Sequence, residues 1–188
     1  MVTGCGSSSK SSSQGSTTTV TVPATTSTTS TGGIDTLEGA ATTPVEQKSS
    51  LSQTALLERV AIGRHEGYDR VVFQFTNGVP GYRVEYVQPP LKEDGSGKVV
   101  AVKGSAFVVV RMEPASGFDL SKSEGMLVYK GPKRLEGSDS GTSIVQEVVR
   151  TGDFEAVLHW AIGLEEQVDF RVTSAESPPR LIVDFRNH

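Results

Sequence analysis

The stretch GRHEGYDRVVFQF, residues 63–75, carries the pattern that decides the fold. From Arg70 onward apolar and polar residues alternate. In an extended chain Val71, Phe73 and Phe75 point one way, and Arg70, Val72 and Gln74 the other. A period of two in β-branched and aromatic residues predicts a half-buried strand. Just before it, EGYD (residues 66–69) supplies a turn, so a strand ending near His65 returns as one starting at Arg70. The same stretch holds a His, a Glu, an Asp and two Arg, which suit an active site, a turn or a binding edge alike.

Working outward, the same character extends from about Leu56 to the end of the chain. LLERVAI, RVVFQF, YRVEYV, VVAV, AFVVVRM, MLVYK, SIVQEVV, EAVLHWAI, VDFRV and RLIVDF are short runs rich in Val, Ile and aromatics. Clusters such as TNGVPG, EDGSG and EGSDSG separate them. No amphipathic helix of useful length interrupts the series, and residues 118–124 have room for a single helical turn. Many short strands at near-regular spacing predict an all-β domain, an antiparallel sandwich or barrel.

A shift of 110 positions lays RVAIGRHEGYDRVVFQF (residues 59–75) over DFRVTSAESPPRLIVDF (residues 169–185). Glu66 then meets Glu176, Arg70 meets Arg180, and Phe75 meets Phe185. Leu181, Val183 and Phe185 repeat the inward set; Arg180, Ile182 and Asp184 repeat the outward one. Two such hairpins fit facing or adjoining sheets of a sandwich. The second copy makes its turn from ESPP (residues 176–179), without His or Asp. A turn alone therefore does not require His65 or Asp69.

Composition breaks near residue 50. Residues 1–50 contain 24 Ser or Thr and no aromatics, too little apolar surface to offset backbone entropy, so this segment is expected to be a disordered tether. Residues 51–188 are expected to form one domain, a length sufficient for a single core. The net charge of -4 argues against a nucleic-acid protein. A single Cys excludes an internal disulfide, and His65, His159 and His188 are too scattered for a metal cluster. No cofactor is implied.

VTGC, residues 2–5, resembles the lipobox of bacterial lipoproteins, in which small residues precede a Cys that becomes diacylated. That resemblance implies lipid attachment at Cys5, with no signal peptide in this chain, and a place on the extracytoplasmic face of the bacterial cell membrane. Within the domain, GRHEGYDRVVFQF with Tyr82 and YVQPP, YKGPKR, GDFEAVLHWAIGL and PPRLIVDFR occur in an order that resembles AMIN-like domains of actinobacterial lipoproteins. These are relatives of the AMIN domains of cell-wall amidases and secretins. The resemblance spans nearly all of residues 56–188. It implies an antiparallel β-sandwich and a role in binding or localisation at peptidoglycan or a related wall glycan.

The residues themselves offer Arg64, His65, Tyr68, Asp69 and Arg70 as a compact polar group, with Tyr82 and Tyr86 on one face of the next strand. Aromatic surface suits sugar rings, and Arg grips a carboxylate through two parallel hydrogen bonds. Arg70 and Asp69 would equally serve as a pair across the turn, and Tyr82 as core. Catalysis finds little support: no Gly-x-Ser-x-Gly or His-Glu-x-x-His motif accompanies His65 and Asp69. Trp160 belongs to a stripe with Phe154, Ala156, Leu158 and Ile162 that reads as core. The expectation is a non-catalytic envelope module that binds wall glycan. A protein-binding module working by strand addition is the alternative, and a wall hydrolase the more remote one.

Overall fold

The computed structural model describes Met1 and residues 37–121 and 123–188; the VTGC motif, Cys5 and most of the expected tether lie outside the described residues. Strands β1 Val45–Gln47, β2 Ala55–His65, β3 Tyr68–Thr76, β4 Gly81–Val87 and β5 Ala106–Glu113 come first. Short strands β6 Ala115–Ser116, β7 Phe118–Asp119, β8 Met126–Leu127 and β9 Arg134–Glu136 follow. Then come β10 Val145–Phe154, β11 Val157–Leu164, β12 Phe170–Glu176 and β13 Pro179–Arg186. The described residues contain no α-helix, only a 3-10 turn at Gly137–Ser140.

One sheet has the order β1-β4-β5-β11-β10-β9, the other β12-β13-β3-β2-β6, and β7 and β8 form a small ribbon. All strand pairs are antiparallel except the two-residue contact of β2 with β6. The inward residues expected from alternation, Val71, Phe73, Phe75, Leu181, Val183 and Phe185, are all buried. They meet Val84, Val108, Val110, Met112, Leu158, Trp160, Ile162 and Leu164 of the facing sheet in one core. Trp160 is fully buried, its ring 5.9 Å from that of Phe73 and 5.6 Å from that of Tyr129. Each large apolar side chain so buried contributes about 1.5–3 kcal/mol. The result is an antiparallel β-sandwich.

Some segments depart from the expectation. VVAV does not form a strand: Val99 is two-thirds exposed and only Lys92↔Val99 bridges there. Residues 118–121 and 123–124 form strand and turn rather than helix, and residue 122 lies outside the described residues. Phe154 leaves the core stripe because it sits at the tip of the β10–β11 hairpin, where Glu155 and Ala156 have positive φ of 49° and 59°.

Packed structure also begins before residue 50. Leu37 is buried, Ala41 bridges Phe170, and β1 adds to the edge of β4. An edge strand is held by its neighbour's backbone ladder, so composition that is poor in apolar residues does not prevent it. Gly81 permits the close approach: a Cβ there would lie 2.6 Å from the Ser49 nitrogen and 2.8 Å from the Glu113 carbonyl oxygen.

The internal echo also has a simpler solution than facing sheets. Its two hairpins lie side by side in one sheet, with β3 and β13 as antiparallel neighbours. Val72 pairs with Ile182, and these are the positions that the 110-residue shift equates. A local two-fold axis therefore passes between them. It carries Arg70 onto Arg180 and Gln74 onto Asp184, while the register pairs Arg70 with Asp184 and Gln74 with Arg180. The outer strands keep the symmetry less well. Their two-residue turns, Glu66–Gly67 and Ser177–Pro178, are one position out of step.

Candidate functional site

The seven site residues read from the sequence do not form one cluster. Period-two geometry divides them between the faces of the five-stranded sheet, and the facing sheet takes the rest.

Asp69 has the parity of Val71 and Phe73 and points inward, where it is fully buried. One carboxylate oxygen accepts from the backbone N–H groups of Ser143, Ile144 and Val145, at 3.0, 2.7 and 3.1 Å. The other accepts from Asn187 Nδ2 at 2.8 Å. Asp69 thus fastens the start of β10 and the chain's C-terminal end to the β2–β3 hairpin. Arg64, opposite Asp69, reaches Gly141 O at 3.5 Å. Tyr86 likewise serves the framework. Its hydroxyl donates to Val168 O at 2.6 Å and accepts from Val168 N–H at 3.0 Å, and its ring meets Phe170 edge-on at 5.8 Å. Burial raises its hydroxyl above the ordinary tyrosine range. Tyr82 packs half-buried against the core, and burial raises it in the same way.

The outward residues build a different surface. His65 stacks on Tyr68 at 4.8 Å, and the Arg70 guanidinium lies 5.0 Å from the centre of the Tyr68 ring. His65 and Asp69 therefore form no acid–base pair. Arg70 turns to Asp184, donating from Nε at 2.6 Å and from Nη2 at 2.9 Å. Arg171 donates to the same carboxylate at 3.1 Å. The hydrogen bonding of Arg70 to the Asp184 carboxylate is the main cause of the upward shift of Arg70. The next row across the sheet is Ala61, Val72, Ile182 and Thr173. Beyond it comes Arg59, Gln74, Arg180 and Ala175. A bulge between Leu57 and Arg59 brings Glu58 to this face as well, where it accepts from Gln74 Nε2 at 3.3 Å.

Four guanidinium groups, those of Arg59, Arg70, Arg171 and Arg180, thus share one face with Asp184 and Glu58. This is a basic surface on a chain of net charge -4. Asp184 accepts from both Arg70 and Arg171. Arg180 has no ion-pair partner among the described residues, and its Nε is buried without an acceptor. Alternation places Arg180 and Asp184 on the outward face, whereas nothing local to the sequence marks Arg59. The signal for them was the register across β3 and β13, which depends on a long-range pairing.

A second region lies at the opposite end of the sheet. Depressions of about 180, 310 and 360 Å³ adjoin around Phe118. Phe118, Leu120 and Phe154 are exposed there, beside the polar groups of Gln53, Asn77 and Ser121. Of the basic loop YKGPKR, Lys133 is paired with Glu93 at 2.6 Å and Arg134 with buried Glu147 at 2.5 Å. His159 meets Asp94. Among the described residues no group of three His, Cys, Asp or Glu is placed to hold a metal ion. No helix among them is long and apolar enough to cross a membrane.

A family model described as AMIN-like domain matches residues 55–187. No curated protein matches the chain, and no solved structure does.

Proposed function

Because this chain belongs to the AMIN-like domain family, a family of cell-envelope modules that commonly bind rather than catalyse, we propose that it is a non-catalytic localisation module for peptidoglycan or a related wall glycan. In this reading Cys5 carries a lipid anchor at the outer surface of the cell membrane, and the Ser/Thr-rich sequence behind it serves as the tether. The observation that carries the reading is the outer face of the five-stranded sheet. It joins the guanidinium groups of Arg59, Arg70, Arg171 and Arg180 to the low apolar row of Ala61, Val72 and Ile182. Wall polymers present carboxylates on a saccharide and peptide backbone, and Arg matches a carboxylate better than any other side chain.

Co-sedimentation with insoluble peptidoglycan tests this. The purified chain is expected in the pellet, and the Arg59→Gln/Arg180→Gln double variant in the supernatant. A chain that stays soluble in both forms would sink the proposal. Release of soluble fragments from the pellet would turn attention to hydrolysis. Mass analysis of the native protein for a diacylglyceryl group on Cys5 tests the anchor.

The groove around Phe118 favours a second reading, recruitment of another envelope protein. Exposed Phe118, Leu120, Met126, Leu127 and Phe154 make the kind of apolar patch that marks association surfaces.

A further inference from the structure

We infer that Arg180 is one half of an ion pair whose other half is a carboxylate of the bound ligand. The inference rests on the outer sheet face as the binding surface and names the group which that face grips.

The argument comes from the local two-fold axis between Val72 and Ile182. On one side of it Arg70 meets Asp184 in a two-pronged pair, with hydrogen bonds of 2.6 and 2.9 Å. The axis carries this pair onto Arg180 and Gln74, which the register places directly opposite one another. The cation is retained and the anion is replaced by an amide. Gln74 is neutral and cannot offer two equivalent acceptor oxygens to a guanidinium fork. Its Nε2 is instead turned to Glu58 at 3.3 Å. Arg180 is left with a buried Nε that nothing accepts from, in a chain where Arg70, Arg83 and Arg134 all have carboxylate partners.

The surroundings specify the ligand group further. Ile182 and Val72 in the adjoining row offer apolar contact to a carbon substituent next to the carboxylate. Exposed Arg59, on the far side of Gln74, adds a second positive charge. An anion seated over Gln74 therefore has the planar fork of Arg180 on one flank and Arg59 on the other, where Arg59 also offsets the charge of neighbouring Glu58. Two sources share this chemistry, the terminal carboxylate of a short peptide and the carboxylate of an acidic sugar.

The test is a nitrogen-detected NMR titration of the chain with N-acetyl-dialanine, its carboxamide and methyl glucuronide. A carboxylate probe is expected to shift the Arg180 Nε–H and the amides of Gln74 and Ile182 saturably, and the carboxamide to leave them in place. Whichever carboxylate binds more tightly identifies the source. Two variants should each weaken binding about tenfold or more: Arg180→Gln, which removes the fork, and Gln74→Glu, which supplies the absent carboxylate internally. Gln74→Glu gives up the contact with Glu58 but leaves the Arg180 side chain in place, and a melting curve recorded beside the titration separates loss of binding from unfolding. Equal binding of carboxylate and carboxamide, or undiminished binding in both variants, overturns the inference. Retention on peptidoglycan that survives both variants also removes it, while leaving the wall-binding function intact. Carboxylate binding in solution without retention on peptidoglycan does the converse.

Discussion

Arg70 and Asp184 face each other across β3 and β13, joined by two hydrogen bonds. The Asp184 side chain has no exposure, whereas that of Arg70 retains 27%. The two ends of the pair are therefore unequal. Arg70→Ala leaves the carboxylate with Arg171, at 3.1 Å. Asp184→Ala removes the shared acceptor of both cations. Breaking a buried pair costs about 3–5 kcal/mol when a charge is stranded, and partial exposure of both Arg reduces that. Chemical denaturation should show Asp184→Ala losing about 2–3 kcal/mol and Arg70→Ala clearly less. The reverse order would mean that Arg171 does not share the load.

Asp69 stands at the junction of three distant segments. Substituting Ala leaves three backbone N–H groups and the Asn187 amide without their acceptor. Each buried donor so stranded costs about 1–3 kcal/mol, partly recovered where water can enter. A loss of about 3 kcal/mol or more is expected for Asp69→Ala. Hydrogen exchange should show the amides of residues 143–145 losing protection first. An unchanged melting temperature would contradict this role.

Leu37 tests how early the domain begins. Its side chain is 1% exposed, so Leu37→Ala should cost about 2–4 kcal/mol, the range for a buried leucine. A surface residue in a loose tether would give a change near zero in the same denaturation experiment.

Ala156 adopts a left-handed conformation beside Glu155, which does the same. For an L-residue that backbone costs about 1–2 kcal/mol, a penalty that glycine escapes. Ala156→Gly should raise stability by about 0.5–1 kcal/mol after allowance for the freer unfolded chain. A lower melting temperature would mean that the Ala156 methyl contributes packing.

Alkaline stability should reflect Tyr86. Burial raises its folded-state pKa above the ordinary value, so on raising the pH the unfolded chain loses its phenolic proton first. The protonated side chain favours folding fully below the unfolded pKa, and that contribution disappears as pH rises through the folded one. Melting temperatures should fall above roughly pH 10. Tyr86→Phe should start lower, without its hydrogen bonds to Val168, and decline less steeply.

The strands were legible because alternation in β2, β3, β5, β11 and β13 is governed by burial of one face, a local signal. Parity even determined more than composition suggested. Asp69 shares the period of Val71 and Phe73, so its inward direction was written in the sequence, though its partners 74 to 76 residues away were not. Leu37 was hidden for the opposite reason: a lone leucine in a Ser/Thr-rich context has no periodicity, and its burial depends on the fold as a whole. The outer face of the five-stranded sheet lay between these cases. Arg70, Arg180 and Asp184 were each placed outward, but the pairing that occupies one Arg and leaves the other open needs the register of two strands 110 residues apart.

The bridge between Ala41 and Phe170 has a bearing on orientation. Phe170 pairs with Phe185, and Asn187 N–H donates to Gly67 O, so the domain's incoming and outgoing chain meet at one end of the five-stranded sheet. The hollows around Phe118 lie at the other, beside Leu56 and Asn77. Both ends of the folded unit thus leave the sheet at the same pole as the Glu66–Gly67 turn. Between the two poles the outward cations come in order, Arg70 and Arg171 toward the chain ends and Arg59 and Arg180 toward the Phe118 hollows.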